Sequence, residues 1–268
     1  MNDIDLEERR IVLHDAQDFA GMHKAGRLAA EVLDMLVPHV RPGVSTLELD
    51  RLAYEYVVAN GGVSATIFYR GYSHALCTSI NHVICHGIPS TKLLQPGDIM
   101  NIDVTVVVDG WHGDTSRMYY AGEPPLKAKR LVDATYECLM IGIEQAKPGN
   151  TVGHIGEAIQ RHAERNRYSV VRDFCGHGLG RRFHMAPNIV HAGRAGDGPE
   201  LRPGMFFTIE PMLNLGRPDA KILDDGWTAV TRDRSLSAQF EHAIGITETG
   251  CEIFTLSPKG LDRPPYSA

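Results

Sequence analysis

The segment Asn101–Asp114 of this 268-residue chain reads NIDVTVVVDGWHGD. The apolar run Val104–Val108 is typical of a buried strand, and Asp109-Gly110 is a strong signal for a two-residue hairpin turn. That turn would pair Asp103 with Ser116 across the hairpin. The segment therefore predicts an antiparallel β-hairpin.

The predicted hairpin places two carboxylates on one face. Asp114 would lie two residues along from Ser116, so that Asp103 and Asp114 become diagonal neighbours. Two like charges at this distance repel each other unless a divalent cation sits between them. The alternative is that both are surface acids beside a turn, as Asp109 is expected to be.

Four helices are predicted around the hairpin, in two similar pairs. Their positions follow from apolar spacing and from Pro and Gly stop signals: about His14–Val37, a helix opened by a Ser45/Glu48 capping box and running toward Asn60, a helix with Leu131, Ala134, Cys138 and Ile141 on one face, and about Gly153–Glu164. Each pair of helices has a Pro-Gly turn before its second helix, and a further Pro-Gly turn precedes Asp103 in one half and Glu210 in the other. The number of residues between the two copies is nearly the same for both kinds of turn. We interpret this as an internal duplication of two α/β halves, approximately 14–121 and 126–255, although short Pro-Gly turns can also agree by chance.

Three further side chains are candidate ligands. Glu210 and Glu241 each lie in or directly after an apolar strand-like run, and His177 stands among three glycines that leave space around its ring. Each alone could be an ordinary surface or structural residue. Together with Asp103 and Asp114 they form a set of oxygen donors with one imidazole, which suits Mn, Fe(II), Co or Zn.

Composition excludes several classes. The chain is 43% hydrophobic and 22% charged with a net charge of -6, which is typical of a globular protein and disfavours non-specific nucleic-acid binding. Its five cysteines form no C-x-x-C pair, which disfavours a cysteine zinc site or a disulfide framework. The charged segment Met1–Ile11 is not typical of a signal peptide or a membrane span, so we expect a cytoplasmic protein.

These motifs resemble the methionine aminopeptidases of the bacterial-size type I class, members of the pita-bread metallopeptidase superfamily. The matching stretches are Cys85–Pro89, Asn101–Val104 with His112–Thr115, Gly176–Gly180 with Phe183-His184, Phe207–Met212 and Glu241-His242. The resemblance implies an α+β fold in which two pseudo-twofold-related halves share an antiparallel-rich curved sheet flanked by helices. It also implies a single catalytic domain over residues 1–268, with a tail from 257 whose prolines suggest loose order.

The resemblance implies a role for each candidate residue. Two divalent ions (Co, Mn, Fe(II) or Zn) would be held by five ligands, with Asp114 and Glu241 bridging: Asp103, Asp114, His177, Glu210 and Glu241. Glu210 would also accept a proton from the attacking water, and Thr105 would orient a ligand carboxylate. His86 and His184 would contact the scissile peptide and stabilise the charge that develops on it.

By the same resemblance, the chain removes the initiator methionine from nascent proteins and prefers a small uncharged second residue. The methionine pocket would comprise Tyr69, Tyr72, Cys77, Phe183 and Trp227. Thr66 departs from the cysteine often found in bacterial relatives, which leaves the inner shape of the pocket open. Nascent chains as substrates make the ribosome a candidate partner, and we expect a monomer.

Three other classes of protein with this fold differ from this chain in their sequence features. Prolidase and aminopeptidase P carry an additional N-terminal domain, and the first predicted helix begins near residue 14, so we expect no such domain. Type II methionine aminopeptidases carry a helical insertion in the second half, whereas only 25 residues separate His184 from Glu210. A catalytically dead binding protein of this fold would usually have lost ligands, and all five candidates are present.

Overall fold

The computed structural model describes residues 10–266, which form one large antiparallel sheet packed against two pairs of helices. The helices are α1 (Ala16–Leu36), α2 (Thr46–Ala59), α3 (Leu126–Glu144) and α4 (Val152–Arg165), with short 3-10 turns at Val37–His39 and Tyr69–Gly71. The strands are β1 (Val63–Ser64), β2 (Leu76–Ile80), β3 (Val83–Cys85), β4 (Asp98–Val108), β5 (Trp111–Ala121), β6 (Ser169–Val170), β7 (Gly176–Gly178), β8 (Met185–Ile189), β9 (Phe206–Ile209), β10 (Met212–Asn214), β11 (Ala220–Ile222), β12 (Ala229–Thr231), β13 (Ser237–Gln239), β14 (Glu241–Ile246) and β15 (Cys251–Ile253).

The central sheet has the order β1-β4-β5-β14-β9-β7-β8, with β2 paired to β4 and β15 paired to β14. Two smaller sheets, β13-β10-β6 and β11-β12-β3, flank it. The predicted hairpin is confirmed, because Val108 pairs with Trp111 and Asp103 with Ser116. Asp109 and Gly110 both have positive φ, as this type of tight turn requires.

The helices form close to the predicted bounds. Asp15 caps α1 through a capping box with Asp18, and Gly61 ends α2 with a φ of 75°. The capping box predicted at Ser45 is only half formed: its hydroxyl accepts from the Glu48 amide, but the Glu48 carboxylate pairs with Arg51 instead. Among residues 10–266, no helix is both long and apolar enough to cross a membrane.

Two apolar cores join the helices to the sheet. One packs α1 and α2 against β4, and the other packs α3 and α4 against β9 and β14. Leu131, Ala134 and Cys138 of the predicted face of α3 are buried, and Ile141 is half-buried. The contact face runs through Gly142, where a Cβ atom would lie 2.8 Å from Ile159 and 3.3 Å from Ile209.

The tail is tied to the first half as far as Tyr266, against the expectation of loose order. Tyr266 donates a hydrogen bond to the Met118 carbonyl at 2.7 Å, and Ser257 donates to Asp34. Asp34 in turn pairs with the buried guanidinium of Arg117 at 2.5 Å. Residues 267 and 268 of the predicted tail, and residues 1–9, lie outside the described part of the chain.

Candidate metal centre

A cleft of about 1100 Å³ opens beside the central sheet. It contains every candidate residue predicted from the sequence: Tyr69, Tyr72, Cys77, His86, Asp103, Thr105, Asp114, His177, Phe183, His184, Glu210, Trp227 and Glu241. These residues come from the two halves of the chain, and most of them lie on eight strands or directly beside a strand end. The fold therefore brings together in one site residues that are up to 172 positions apart in the sequence (Tyr69 to Glu241).

Three carboxylates share one face of the central sheet. Ser116 on β5 pairs with Asp103 on one side and with Glu241 of β14 on the other. Asp114 lies two residues from Ser116 along β5 and so points to the same face. A predicted local feature, the tight hairpin, thus combines with a long-range strand pairing to gather these acids.

His177 faces this group from β7. Ligand atoms of Asp114, His177 and Glu241 all lie within 4.8 Å of one another. The His177 Nε2 atom is 3.5 Å from Asp114 Oδ2 and 3.8 Å from Glu210 Oε1. On the other side of the ring, Nδ1 donates to the Gly178 carbonyl at 3.1 Å, which fixes the ring with Nε2 directed at the carboxylates.

Burial and mutual repulsion strongly shift the pKa values of the ionisable groups in the centre. Burial, followed by the repulsion from Asp114, raises the pKa of Asp103 and of Glu241 well above the usual range. Burial likewise raises the pKa of Glu210 to about 7. Burial opposes a charge on His177, but its bond with Asp114 and its attraction to Glu210 raise its pKa. Such a concentration of unpaired acids is the electrostatic environment that a divalent cation neutralises.

The carboxylate of Glu210 is held at both oxygens. Thr208 donates to Oε1 at 2.9 Å and Gln239 donates to Oε2 at 3.2 Å. The Glu210 amide itself donates to Nε2 of the buried His191 at 3.1 Å. The sequence analysis did not identify Thr208, Gln239 or His191 as partners. Thr208 carries a usable signal, because it stands two residues before Glu210 on the same strand face.

Thr105 lies directly opposite Asp114 across the hairpin. Its hydroxyl donates to Asp114 Oδ1 at 2.7 Å, and both side chains are buried. This is the contact expected of a residue that orients a ligand carboxylate.

Two neutral imidazoles border the acidic group. Burial lowers the pKa of His86, and burial together with the nearby His177 lowers the pKa of His184 to about 2. The ring of His184 is 4.1 Å from the ring of His177 and 5.1 Å from that of Tyr69. Its Nδ1 atom is buried and has no hydrogen-bond partner among residues 10–266.

The apolar part of the cleft is built from aromatic pairs. The Tyr69 and Phe183 rings are 5.0 Å apart, as are those of Tyr72 and Trp227. Thr66 also lines this region, but its hydroxyl is used inside the protein, where it donates to the His74 carbonyl at 2.7 Å. Phe174, Cys175 and Met212 are among the further lining residues that were not predicted from the sequence.

Comparison with known proteins places this site in a family. The model of metallopeptidase family M24 matches residues 20–248. The chain belongs to metallopeptidase family M24. It is therefore a hydrolase of the metallopeptidase class, and within family M24 its high-identity relatives are the methionine aminopeptidases.

Among the M24 relatives, the methionine aminopeptidase of Rickettsia prowazekii is 55% identical over 257 residues, which is 96% of this chain and 99% of that protein. The Escherichia coli K12 methionine aminopeptidase is 51% identical over 248 residues, 92% of this chain and 94% of that protein. A crystal structure of the Rickettsia prowazekii enzyme has a TM-score of 0.91 at 54% identity and covers 92% of this chain and 100% of that one.

The M24 fold extends to more distant proteins. Prolidase from Pyrococcus furiosus has a TM-score of 0.74 at 21% identity, covering 94% of this chain and 66% of that chain. At this identity the likeness shows the fold alone. The predicted α+β pita-bread fold is thereby confirmed.

Proposed function

We propose that the cleft removes the N-terminal methionine from nascent polypeptides and prefers a small uncharged second residue. The observation that carries the proposal is the convergence of Asp103, Asp114, His177, Glu210 and Glu241 beside an aromatic pocket. The names of the high-identity relatives support the same reaction.

Two divalent ions fit the donor set of the centre. Four carboxylates with one imidazole suit Mn, Fe(II), Co or Zn, and the raised pKa values of Asp103 and Glu241 indicate acids that lack a compensating positive charge. Asp114 and Glu241 are proposed to bridge the ions. When bound, such ions lower the pKa of a shared water and polarise the carbonyl of the scissile bond.

Glu210 is proposed as the proton acceptor for the attacking water. The hydrogen bonds from Thr208 and Gln239 keep its carboxylate in one orientation, so that the proton is taken up at a fixed place. The neutral His86 and His184 are proposed to bond the substrate peptide and stabilise its developing negative charge.

The pocket of Tyr69, Tyr72, Cys77, Phe183 and Trp227 is proposed to hold the methionine side chain, because a thioether packs well against aromatic edges. A preference for a small second residue is supported by crowding at His86. Its ring centre lies 5.5 Å from that of Phe174 and 6.2 Å from that of Trp227.

The oligomeric state, domain organisation and cell compartment of the chain are also proposed. All groups of the centre come from one chain, so a monomer with a single catalytic domain, built as two related halves, suffices. The five cysteines are all free thiols, which favours a reducing compartment such as the cytoplasm. Contact with the ribosome stays a prediction from the nascent-chain substrate.

The test uses protein stripped with EDTA and assayed on Met-Ala-Ser and Leu-Ala-Ser, with Mn, Co, Fe(II) or Zn restored one at a time and Glu210→Gln as the control variant. We expect at least one metal to restore methionine release, with little leucine release and almost no activity in the variant. A folded protein that no metal activates would instead support a catalytically dead binding protein. Equal release of leucine would contradict the pocket assignment.

A further inference from the structure

One segment, residues 66–77, supplies much of the aromatic wall of the cleft. We name it the pocket loop. Thr66, Tyr69, Tyr72 and Cys77 all belong to it and all line the cleft. Its placement therefore determines the shape of the pocket that is proposed to hold the methionine side chain.

The pocket loop does not adopt an easy backbone conformation. Phe68 and Arg70 have φ values of 69° and 48°, in the left-handed region that residues with a side chain disfavour. A strained backbone of this kind persists only where surrounding contacts restrain it. The loop must therefore be fastened from outside.

The fastening comes from a single carboxylate on α2. Asp50 Oδ1 accepts hydrogen bonds from two consecutive amides, those of Ala75 at 2.8 Å and Leu76 at 2.9 Å. Its other oxygen, Oδ2, is 3.0 Å from Nδ1 of His74. The Asp50 side chain is only 12% exposed, so these bonds are shielded from water.

Bonds within the loop transmit this restraint to the pocket. The His74 carbonyl, next to the clamped amides, accepts from Thr66 at the start of the loop at 2.7 Å. The Leu76 carbonyl accepts from the Tyr72 hydroxyl at 2.8 Å, and Tyr72 in turn contacts Trp227. Cys77 directly follows the two amides bonded to Asp50, and it pairs with Asp103 on β4.

We propose that Asp50 is a positioning residue that sets selectivity for methionine by fastening the pocket loop to α2. Asp50 lies outside the cleft and touches neither the acidic group nor the neutral imidazoles, so it acts through the loop alone. The proposal rests on the proposed function of the pocket.

The test compares Asp50→Ala, Asp50→Asn and the control Glu55→Ala, which removes an exposed carboxylate from the same helix. In Asp50→Ala we expect KM for Met-Ala-Ser to rise about tenfold, kcat to change less than twofold, and the preference for methionine over leucine to fall about tenfold. Asp50→Asn retains an oxygen for both amides and should recover most of the preference. Glu55→Ala should match the wild type.

Hydrogen exchange, measured on the same variants without metal, supplies a readout that is independent of activity. In Asp50→Ala the amides of Ala75 and Leu76 should exchange faster, while β4 and β5 keep their protection. An unchanged preference for methionine, unchanged exchange, or an equal loss of protection in β4 and β5 would overturn the proposal. If the wild type itself released no methionine, the proposed function would fail separately, and the exchange pattern would still decide whether Asp50 fastens the loop.

Discussion

Replacing Thr105 by valine removes one hydroxyl from the centre while keeping the shape of the side chain. The Thr105 hydroxyl donates to Asp114 Oδ1 at 2.7 Å in a buried setting. Without it, the Asp114 carboxylate loses the donor that orients it toward the proposed metals. The variant should therefore bind metal more weakly while the fold is retained.

The size of the effect follows from the bond that is lost. A hydrogen bond to a charged group contributes about 1.5 to 3 kcal/mol. Since each 1.4 kcal/mol corresponds to about a tenfold change in a dissociation constant, the Kd for metal should rise roughly 10- to 100-fold. The same range is typical of residues that support metal ligands in other proteins.

Isothermal titration of Mn into EDTA-stripped protein measures this directly. Thr78→Val is the matched control, because Thr78 is buried on the adjacent strand β2 and its hydroxyl has no hydrogen-bond partner among residues 10–266. Thr78→Val should bind Mn as the wild type does. If Thr105→Val also bound Mn with an unchanged Kd, Asp114 would not depend on this hydroxyl and the reasoning would be refuted.

Two further predictions concern stability. The folded state raises the pKa of Glu210 from 4.5 to about 7, so between these values the folded protein holds a proton that the unfolded chain has lost. The free energy of unfolding of the metal-free protein should therefore fall as pH rises from 4.5 to 7, and the raised pKa values of Asp103 and Glu241 act in the same direction; urea unfolding at pH 5 and pH 7.5 checks this, and greater stability at the higher pH would contradict it. Gly87→Ala should lower the free energy of unfolding by about 1 to 3 kcal/mol, because its Cβ atom would lie 2.1 Å from the Thr78 carbonyl oxygen. Gly250→Ala, where nothing lies within 4 Å, is the control, and equal stability of the two variants would show that the close approach at Gly87 is not rigid.

Local signals in the sequence predict much of the fold. The Asp109-Gly110 turn sets the register of β4 and β5, and that register alone places Asp103 and Asp114 on one face. The helix bounds follow from apolar spacing and from residues such as Asp15 and Gly61 that suit the helix ends. These features succeed because their physical causes lie within a few residues of one another.

Features that depend on distant contacts were not predictable in this way. Gln239 donates to Glu210, and its backbone carbonyl accepts a hydrogen bond from the Asn101 side chain, 138 residues away in sequence. In the sequence Asp50 resembles any other acid on a helix. Only the folded structure shows that the pocket loop bonds to it. Gly142 on α3 allows a close approach to Ile159 and Ile209 that the apolar spacing of the helix did not predict.

The central claim is that the convergent acids and His177 form a metal centre that releases methionine. Metal content and the rate of methionine release from Met-Ala-Ser should be measured in the same samples as stripped protein is titrated with Mn or Co. We expect no release without metal and a rate that rises in step with bound metal until the centre is filled. Full activity in protein that holds less than about one metal per ten chains would contradict the claim, since hydrolysis would then proceed without the metals that activate the water.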